Sequence, residues 1–352
     1  MAFTLNTNAT RCRDEAEVND QLRKLSELFA VCGCEDEARS YIIAEIKDKC
    51  ESVKTDVLGN VIAFKSGISR DKRVLIGTNI DEAGFIVTDI TDDGYIKFGA
   101  VGRIDPRVLI AKRVVIGSDR IKGVIGIKAV HLTTRDERET AVKLSELYID
   151  IGAASRKKAA KRVSKGDYIA FDTEFESSGD SIKGKALDRF GTACLIEAMD
   201  QTPAYDTYFV FSTQRETGGR GMMTAAFSIR PDMILIVDTP DAADVYRSEQ
   251  VHARLGGGAV IEYMDRTNIS DTVMTAAVAK LAKARKIKTQ NMTAGSGRTI
   301  AGAAGTAAAG APTACIGIPC RYSHTPVCMM NKNDLGAVSA LCAAFVKEGI
   351  RI

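Results

Sequence analysis

Thr207-Tyr-Phe-Val-Phe-Ser-Thr-Gln-Arg-Glu-Thr-Gly-Gly-Arg-Gly221 is an apolar, β-rich run that stops at Gln214-Arg215-Glu216 and turns on paired glycines. Aromatic and β-branched residues favour a pleated, buried strand. A carboxylate at the end of such a strand sits where open α/β sheets place their chemistry. Directly beside Glu216 stands Arg215, a residue that neither a cation-binding site nor a proton-accepting one is expected to want.

The same pattern recurs along the chain. Val74-Leu-Ile-Gly-Thr78 ends at Asn79 and Asp81, Met233–Val237 ends at Asp238, and Cys315–Pro319 leads to Arg321-Tyr-Ser-His324. Asp188 stands at the mouth of a helix in Gly184-Lys-Ala-Leu-Asp-Arg-Phe-Gly191. Acidic residues and a histidine drawn to one sheet edge would suit a hard or borderline cation such as zinc, cobalt or manganese. Each member alone has a plainer reading. Asp238 reads equally as a helix N-cap or a turn carboxylate, His324 as a structural loop histidine, and Glu216 as an ion-pair partner of Arg215 or Arg220. Their convergence carries the site hypothesis.

Around these strands, residues 16–50 show two amphipathic helices broken at Cys32-Gly-Cys34. Asp56–Phe64 reads as a strand pair turning at Gly59-Asn60. Residues 84–172 change texture, with short alternating strands punctuated at Asp92-Asp93-Gly94, Asp105-Pro106, Lys122-Gly123 and Lys165-Gly166-Asp167. That is the pattern of a compact all-β module. From Gly184 helices and strands alternate again. Helices are predicted over 191–200, 270–285 and 300–309, and strands over 207–213, 233–238 and 314–319. The expected fold class is an α/β three-layer sandwich with helices on both faces of its sheet.

Composition excludes several classes. With 352 residues, 45% hydrophobic and 26% charged, the chain has the make-up of a soluble protein with one large and one smaller domain. A net charge of +3 gives no reason to expect a nucleic-acid partner, and the basic run Arg156–Arg162 lacks interleaved aromatics and reads as a solvated helix face. The stretch Ala301–Ala314 is too short and too polar to span a membrane. Nine cysteines and a start without the layout of an export signal read as reduced thiols in a cytoplasmic protein, and Cys32-Gly-Cys34 has the wrong spacing for a zinc knuckle.

The chain resembles the tetrahedral, or TET, metallo-aminopeptidases, the glutamyl aminopeptidase family also described as cellulase-like. The segments that carry the likeness are Leu22–Glu35, Asp56-x-x-Gly-Asn60, Asp105-Pro-Arg-Val108, Leu147–Gly152, Gly184–Asp188 and Arg321-Tyr-x-His-x-Pro326. The resemblance implies a catalytic α/β domain formed by residues 1–82 and 174–352. It also implies a PDZ-like β-barrel at 83–173 through which subunits dimerise, and dimers that build a dodecamer trimming short peptides. It further implies two metal ions. Of their ligands, Asp188, Glu216, His324 and Asp238 are retained, and Asp81 stands behind them. Asn79 occupies the place of a ligand histidine, Arg215 that of the general-base glutamate. One residue is missing after Asp188, and the loop Ala294–Thr299 departs from the family pattern.

A guanidinium accepts no proton, and losing a general base typically slows a reaction by about 10²- to 10⁴-fold. The expectation is therefore one divalent ion (zinc, cobalt or manganese) or none, with Arg215 neutralising the carboxylates in its stead. Three readings follow. One is an inactive or impaired relative that assembles with itself or modulates an active paralogue. Another is an aminopeptidase working on short peptides at a remodelled site, with Asp81, Glu82 or another carboxylate as base. A third is a peptide-binding protein that uses Arg215 to hold a carboxylate.

Overall fold

The alternation of side chains along four apolar runs builds the centre of the molecule. Val74 and Ile76 enter one core while Leu75 enters another, and the same division separates Leu235 from Ile234 and Ile236, Phe209 and Phe211 from Val210, and Ala314 and Ile316 from Cys315. A period of two buried on both faces requires cover on both sides. Helices Glu15–Glu27, Asp36–Ile46, Gly191–Ala198, Thr272–Ala284 and Lys332–Glu348 cover one side, and Arg220–Ile229 with Ala301–Gly305 cover the other. The computed structural model describes residues 15–248, 253–293, 295 and 297–351. The N-terminal start with Cys12, and Ala294 and Ser296 of the 294–299 loop, lie outside them.

The sheet has eight strands, in the order Ser52–Thr55, Val61–Lys65, Tyr205–Ser212, Ser69–Asn79, Met233–Asp238, Thr313–Gly317, Ala259–Glu262 and Thr289–Met292. The four strands from Tyr205–Ser212 to Thr313–Gly317 are mutually parallel. Their C-terminal ends therefore share one edge. A small sheet pairs Ser181–Gly184 with Cys328–Asn331, which brings the segment leading to Asp188 beside the loop carrying His324.

Between Asn79 and the small sheet the chain forms a closed antiparallel barrel. Its order is Gly84–Ile90, Ile96–Val101, Tyr148–Asp150, Ile121–Gly126, Arg113–Ile116 and Tyr168–Phe171, the last strand pairing back on the first. Phe85 fills its interior, edge-on to Phe98 and Phe171. Closure leaves no open strand edge.

Local departures from the sequence reading have local causes. The first strand of the early pair is Ser52–Thr55, because Asp56 accepts the backbone N–H groups of Leu58 and Asn60 and closes a turn over 56–60. The helix expected over 300–309 is only Ala301–Gly305, and left-handed backbone at Ala308 and Gly310 follows it. The basic run forms one helical turn, Arg156–Ala159, with its charged residues exposed and Ala159 buried. Among the described residues, the cysteines are free thiols and no helix is long and apolar enough to cross a membrane.

A buried ion cluster locks the N-terminal helix to the sheet. Lys185 Nζ lies 2.9 Å and Arg189 Nη2 3.1 Å from Glu82 Oε1. Arg189 also donates to the carbonyls of Ile80 and Leu25 at 2.8 and 2.7 Å. Removing one partner of such a cluster strands buried polar groups, at a cost of about 3–5 kcal/mol. Arg189→Leu should lose stability of that size in urea unfolding. A loss below about 1 kcal/mol, the range of an exposed pair, would contradict the assignment.

Candidate active site

The shared edge of the parallel strands gathers the residues singled out in the sequence. Asp238 ends its strand fully buried, with Oδ1 accepting from Thr239 N–H at 2.7 Å and Oδ2 from Ile300 N–H at 3.1 Å. The strand Tyr205–Ser212 runs on into Gln214, whose left-handed backbone swings Arg215 and Glu216 across the edge. Ala186, just before Leu187-Asp188, and His324 are also left-handed without being glycine. Such conformations cost about 1–3 kcal/mol each and persist only where the surroundings enforce them.

Arg215 is the hub. Its Nη1 donates to Glu216 Oε1 at 2.7 Å and its Nη2 to Asp238 Oδ1 at 3.1 Å, while Nη1 stands 3.9 Å from Asp188 Oδ2. His324 Nδ1 is 3.6 Å from Glu216 Oε1. The arginine side chain is only 10% exposed. Burial works against its charge, but the carboxylates of Asp238, Glu216 and Asp188 outweigh burial and hold the guanidinium well above arginine's ordinary range. Asp188 is pushed up, chiefly by burial, although Arg215 pulls the other way. The barrel reaches the same place. A Cβ on Gly102 would fall 2.5 Å from Glu216 Oε2.

Asn79 and Asp81 lie behind this hub. Asn79 donates its side-chain amide to the Asp81 carbonyl at 3.2 Å, leaving its own Oδ1 unpartnered. Asp81 accepts from Glu216 N–H at 3.0 Å, and burial together with the Glu216 charge raises its carboxyl to about 7. Glu82, considered above as a substitute base, belongs to the Lys185–Arg189 cluster. Burial alone would raise its carboxyl, yet the two cations more than offset that and leave it low. A carboxylate so held is a poor proton acceptor.

One site feature escaped the sequence reading. Glu262 lines a pocket beside Arg215, together with Thr239, Asp241, Arg298 and His324. Its Oε2 is buried without a partner, and burial, Asp265 and Asp238 raise its carboxyl to about 8. The signal was available, since Ala259-Val-Ile-Glu262 is another apolar run ending in a carboxylate.

A family model described as M42 glutamyl aminopeptidase matches residues 59–341. The chain belongs to that family. A relative from Acetivibrio thermocellus is 36% identical over 337 residues, covering 94% of this chain and 100% of its own. An aminopeptidase from the archaeon Desulfurococcus kamchatkensis superposes with a TM-score of 0.90 at 30% identity, over 95% of this chain and 96% of its own. The TET1 peptidase of Pyrococcus horikoshii, described as assembling into a tetrahedron or a large octahedral shell, has a TM-score of 0.84 at 30% identity, over 94% of this chain and 99% of its own. The expected resemblance to TET aminopeptidases and the expected sandwich-plus-barrel fold therefore hold for this M42 chain.

The raised carboxyls make stability pH-dependent. Asp81 and Glu262 keep a proton in the folded chain at pH values where the unfolded chain has released it. Their contribution is complete below the ordinary carboxylate range and is lost as pH rises through about 7 and about 8. Glu262→Gln should flatten the fall in urea-unfolding stability over that interval. An unchanged slope would show that Glu262 does not hold its proton.

Proposed function

We propose that this M42 family member no longer carries out the two-metal peptide hydrolysis its resemblance implies, and serves as an impaired or inactive subunit. The observation that carries this reading is Arg215, hydrogen-bonded to Glu216 and Asp238 and 3.9 Å from Asp188. A cation bridging these carboxylates would have to occupy the space of the guanidinium, or lie a few ångströms from its fixed charge. Asn79 offers only a neutral oxygen where an imidazole would be needed, and its amide is turned to Asp81. These residues do not fit a pair of ions. Nor can Arg215 take a proton from water.

The buried hydrogen bonds of the cluster explain why the site keeps its shape. Arg215 supplies two N–H groups to two different carboxylates, so it compensates their charge while fixing the loop that bears it. The rest of the fold is that of the relatives that form closed shells, which supports self-assembly into a similar shell or incorporation beside an active paralogue.

A second reading keeps a remodelled aminopeptidase acting on short peptides. Asp81 is its candidate base, because a carboxyl near 7 is matched to proton transfer at neutral pH. Its complete burial and its hydrogen bond to Glu216 N–H make direct contact with a substrate difficult.

Both are tested together. Metal analysis of chain purified without chelator should find no ion that depends on Asp188, Glu216 or Asp238. Peptide hydrolysis should stay at background with added zinc, cobalt or manganese, and the double variant Asn79→His with Arg215→Glu should gain both metal and turnover. Two tightly bound ions per chain, or robust turnover by the parent, would overturn the proposal.

A further inference from the structure

Behind the arginine hub lies a second convergence of different chemistry. Cys32, Glu35 and Asp81 bring one sulfur and two carboxylate oxygens within 4.8 Å of one another. Among the described residues, no other three histidine, cysteine or acidic side chains come so close, the set around Arg215 included. All three are buried, Asp81 completely and the other two to 3% exposure.

Two segments build the place. The turn after the first helix carries Cys32 and Glu35, and it is tied to the end of the strand Ser69–Asn79 by two backbone hydrogen bonds. Cys32 N–H donates to the Glu82 carbonyl at 3.0 Å, and Glu82 N–H to the Ala30 carbonyl at 2.9 Å. Glu35 Oε1 accepts from Gly33 N–H at 2.8 Å and Gln214 N–H at 3.2 Å. Asp81 Oδ2 accepts from Glu216 N–H, whereas Asp81 Oδ1 is buried with no hydrogen-bond partner. The neighbouring cations are engaged elsewhere, Lys185 and Arg189 with Glu82, Arg215 with Glu216 and Asp238.

A buried, unpartnered carboxyl oxygen is a liability that a bound proton relieves in part and a coordinated cation satisfies in full. Here it faces a thiol and a second carboxylate, a mixed sulfur and oxygen set. Zinc accepts such a set and fills a fourth position with water. Harder ions such as magnesium and calcium prefer oxygen alone. Thr217 Oγ1, 3.6 Å from Cys32 Sγ, gives the outer side of the cluster a polar wall.

We propose that Cys32, Glu35 and Asp81 form a mononuclear site for a zinc-class divalent cation, distinct from the Arg215 cluster. Binding converts the Cys32 thiol to a thiolate and releases to solvent its proton together with any proton held on Asp81. The ion joins the turn after the first helix to the strand end. Through Gln214 N–H and Glu216 N–H it also braces the loop that presents Arg215. Its role is positional, and the inference stands whether or not Arg215 excludes metal from its own carboxylates.

Cobalt(II) added to the metal-free full-length chain tests the site. One ion per chain should bind with a near-ultraviolet thiolate-to-cobalt charge-transfer band, and zinc should displace it. Cys32→Ser should abolish the band. It should also weaken binding by at least the roughly 10- to 100-fold that metal-supporting residues contribute elsewhere. Glu35→Gln, which retains the sulfur, should keep the band but weaken binding, and it serves as the readout if Cys32→Ser does not fold. Absence of binding, a bound ion without the sulfur band, or affinity unchanged in these variants would overturn the proposal. An ion lacking the band and lost in Glu216→Gln would contradict the Arg215 reading as well. A sulfur-bound ion that survives Glu216→Gln supports this site and leaves that reading intact.

Discussion

Parallel strands end on the same side of a sheet, and in this chain that geometry collects Asp188, Glu216 and Asp238 at one edge, with Asp81 behind them. Two like charges about 4 Å apart near a protein surface repel by about 4 kcal/mol, and several together cannot remain ionised without a counter-charge. A counter-charge at this point therefore favours the ionised cluster over a protonated one. Arg215 supplies one from within the chain, adjacent in sequence to one of the carboxylates it neutralises and bonded to another that is 23 residues away. The bonds it makes are directional as well as electrostatic, so the same residue that balances the charge fixes the geometry.

A second arginine does comparable work on the scaffold. Arg189, fully buried, is ion-paired with Glu82 and hydrogen-bonded to the Leu25 carbonyl of the first helix. It lies next to Asp188, and Glu82 lies next to Asp81. Two of the four site carboxylates, Asp188 and Asp81, thus have a sequence neighbour anchored in the scaffold cluster, which ties the sheet edge to the core. The strained backbone at Ala186, Gln214 and His324 is tolerable in that setting, because the flanking segments cannot relax without breaking buried ion pairs. Persistence of the shape does not imply persistence of the reaction. Chemistry depends on the few atoms at the end of each side chain, and the proposed loss of function rests on Asn79 and Arg215 presenting an amide and a guanidinium there.

Much of this was legible in the sequence, for definite reasons. Strong apolar runs such as Met233–Val237 announce themselves through β-branched density, and a polar residue at the end of each run marks the edge where parallel strands finish. The alternating texture of 84–172 distinguished the barrel from its surroundings. What the sequence hid was pairing across distance. Nothing local tells that Lys185 and Arg189 meet Glu82, or that Cys32 and Glu35 approach Asp81, because those contacts follow from how the first helix docks on the sheet. Glu262 was missed for another reason. Its apolar run, Ala259–Ile261, is only three residues long, shorter than the runs whose ends mark the site in the sequence. Helix length was misjudged at 300–309, where alanine propensity argues for continuation and the backbone turns left-handed instead.

Arg215 acts as the internal counter-ion, and Arg215→Met probes that role with little change in side-chain volume. Urea unfolding at neutral pH should show a loss of about 3–5 kcal/mol, the size expected when one partner of a buried ion cluster is removed. Added cobalt or zinc should recover part of that loss in the variant beyond whatever metal adds to the parent, and should add no more than it adds to the parent in a Glu216→Gln, Arg215→Met double variant. If Arg215→Met is as stable as the parent and indifferent to metal, the carboxylates at the sheet edge do not need their arginine, and the central claim is wrong.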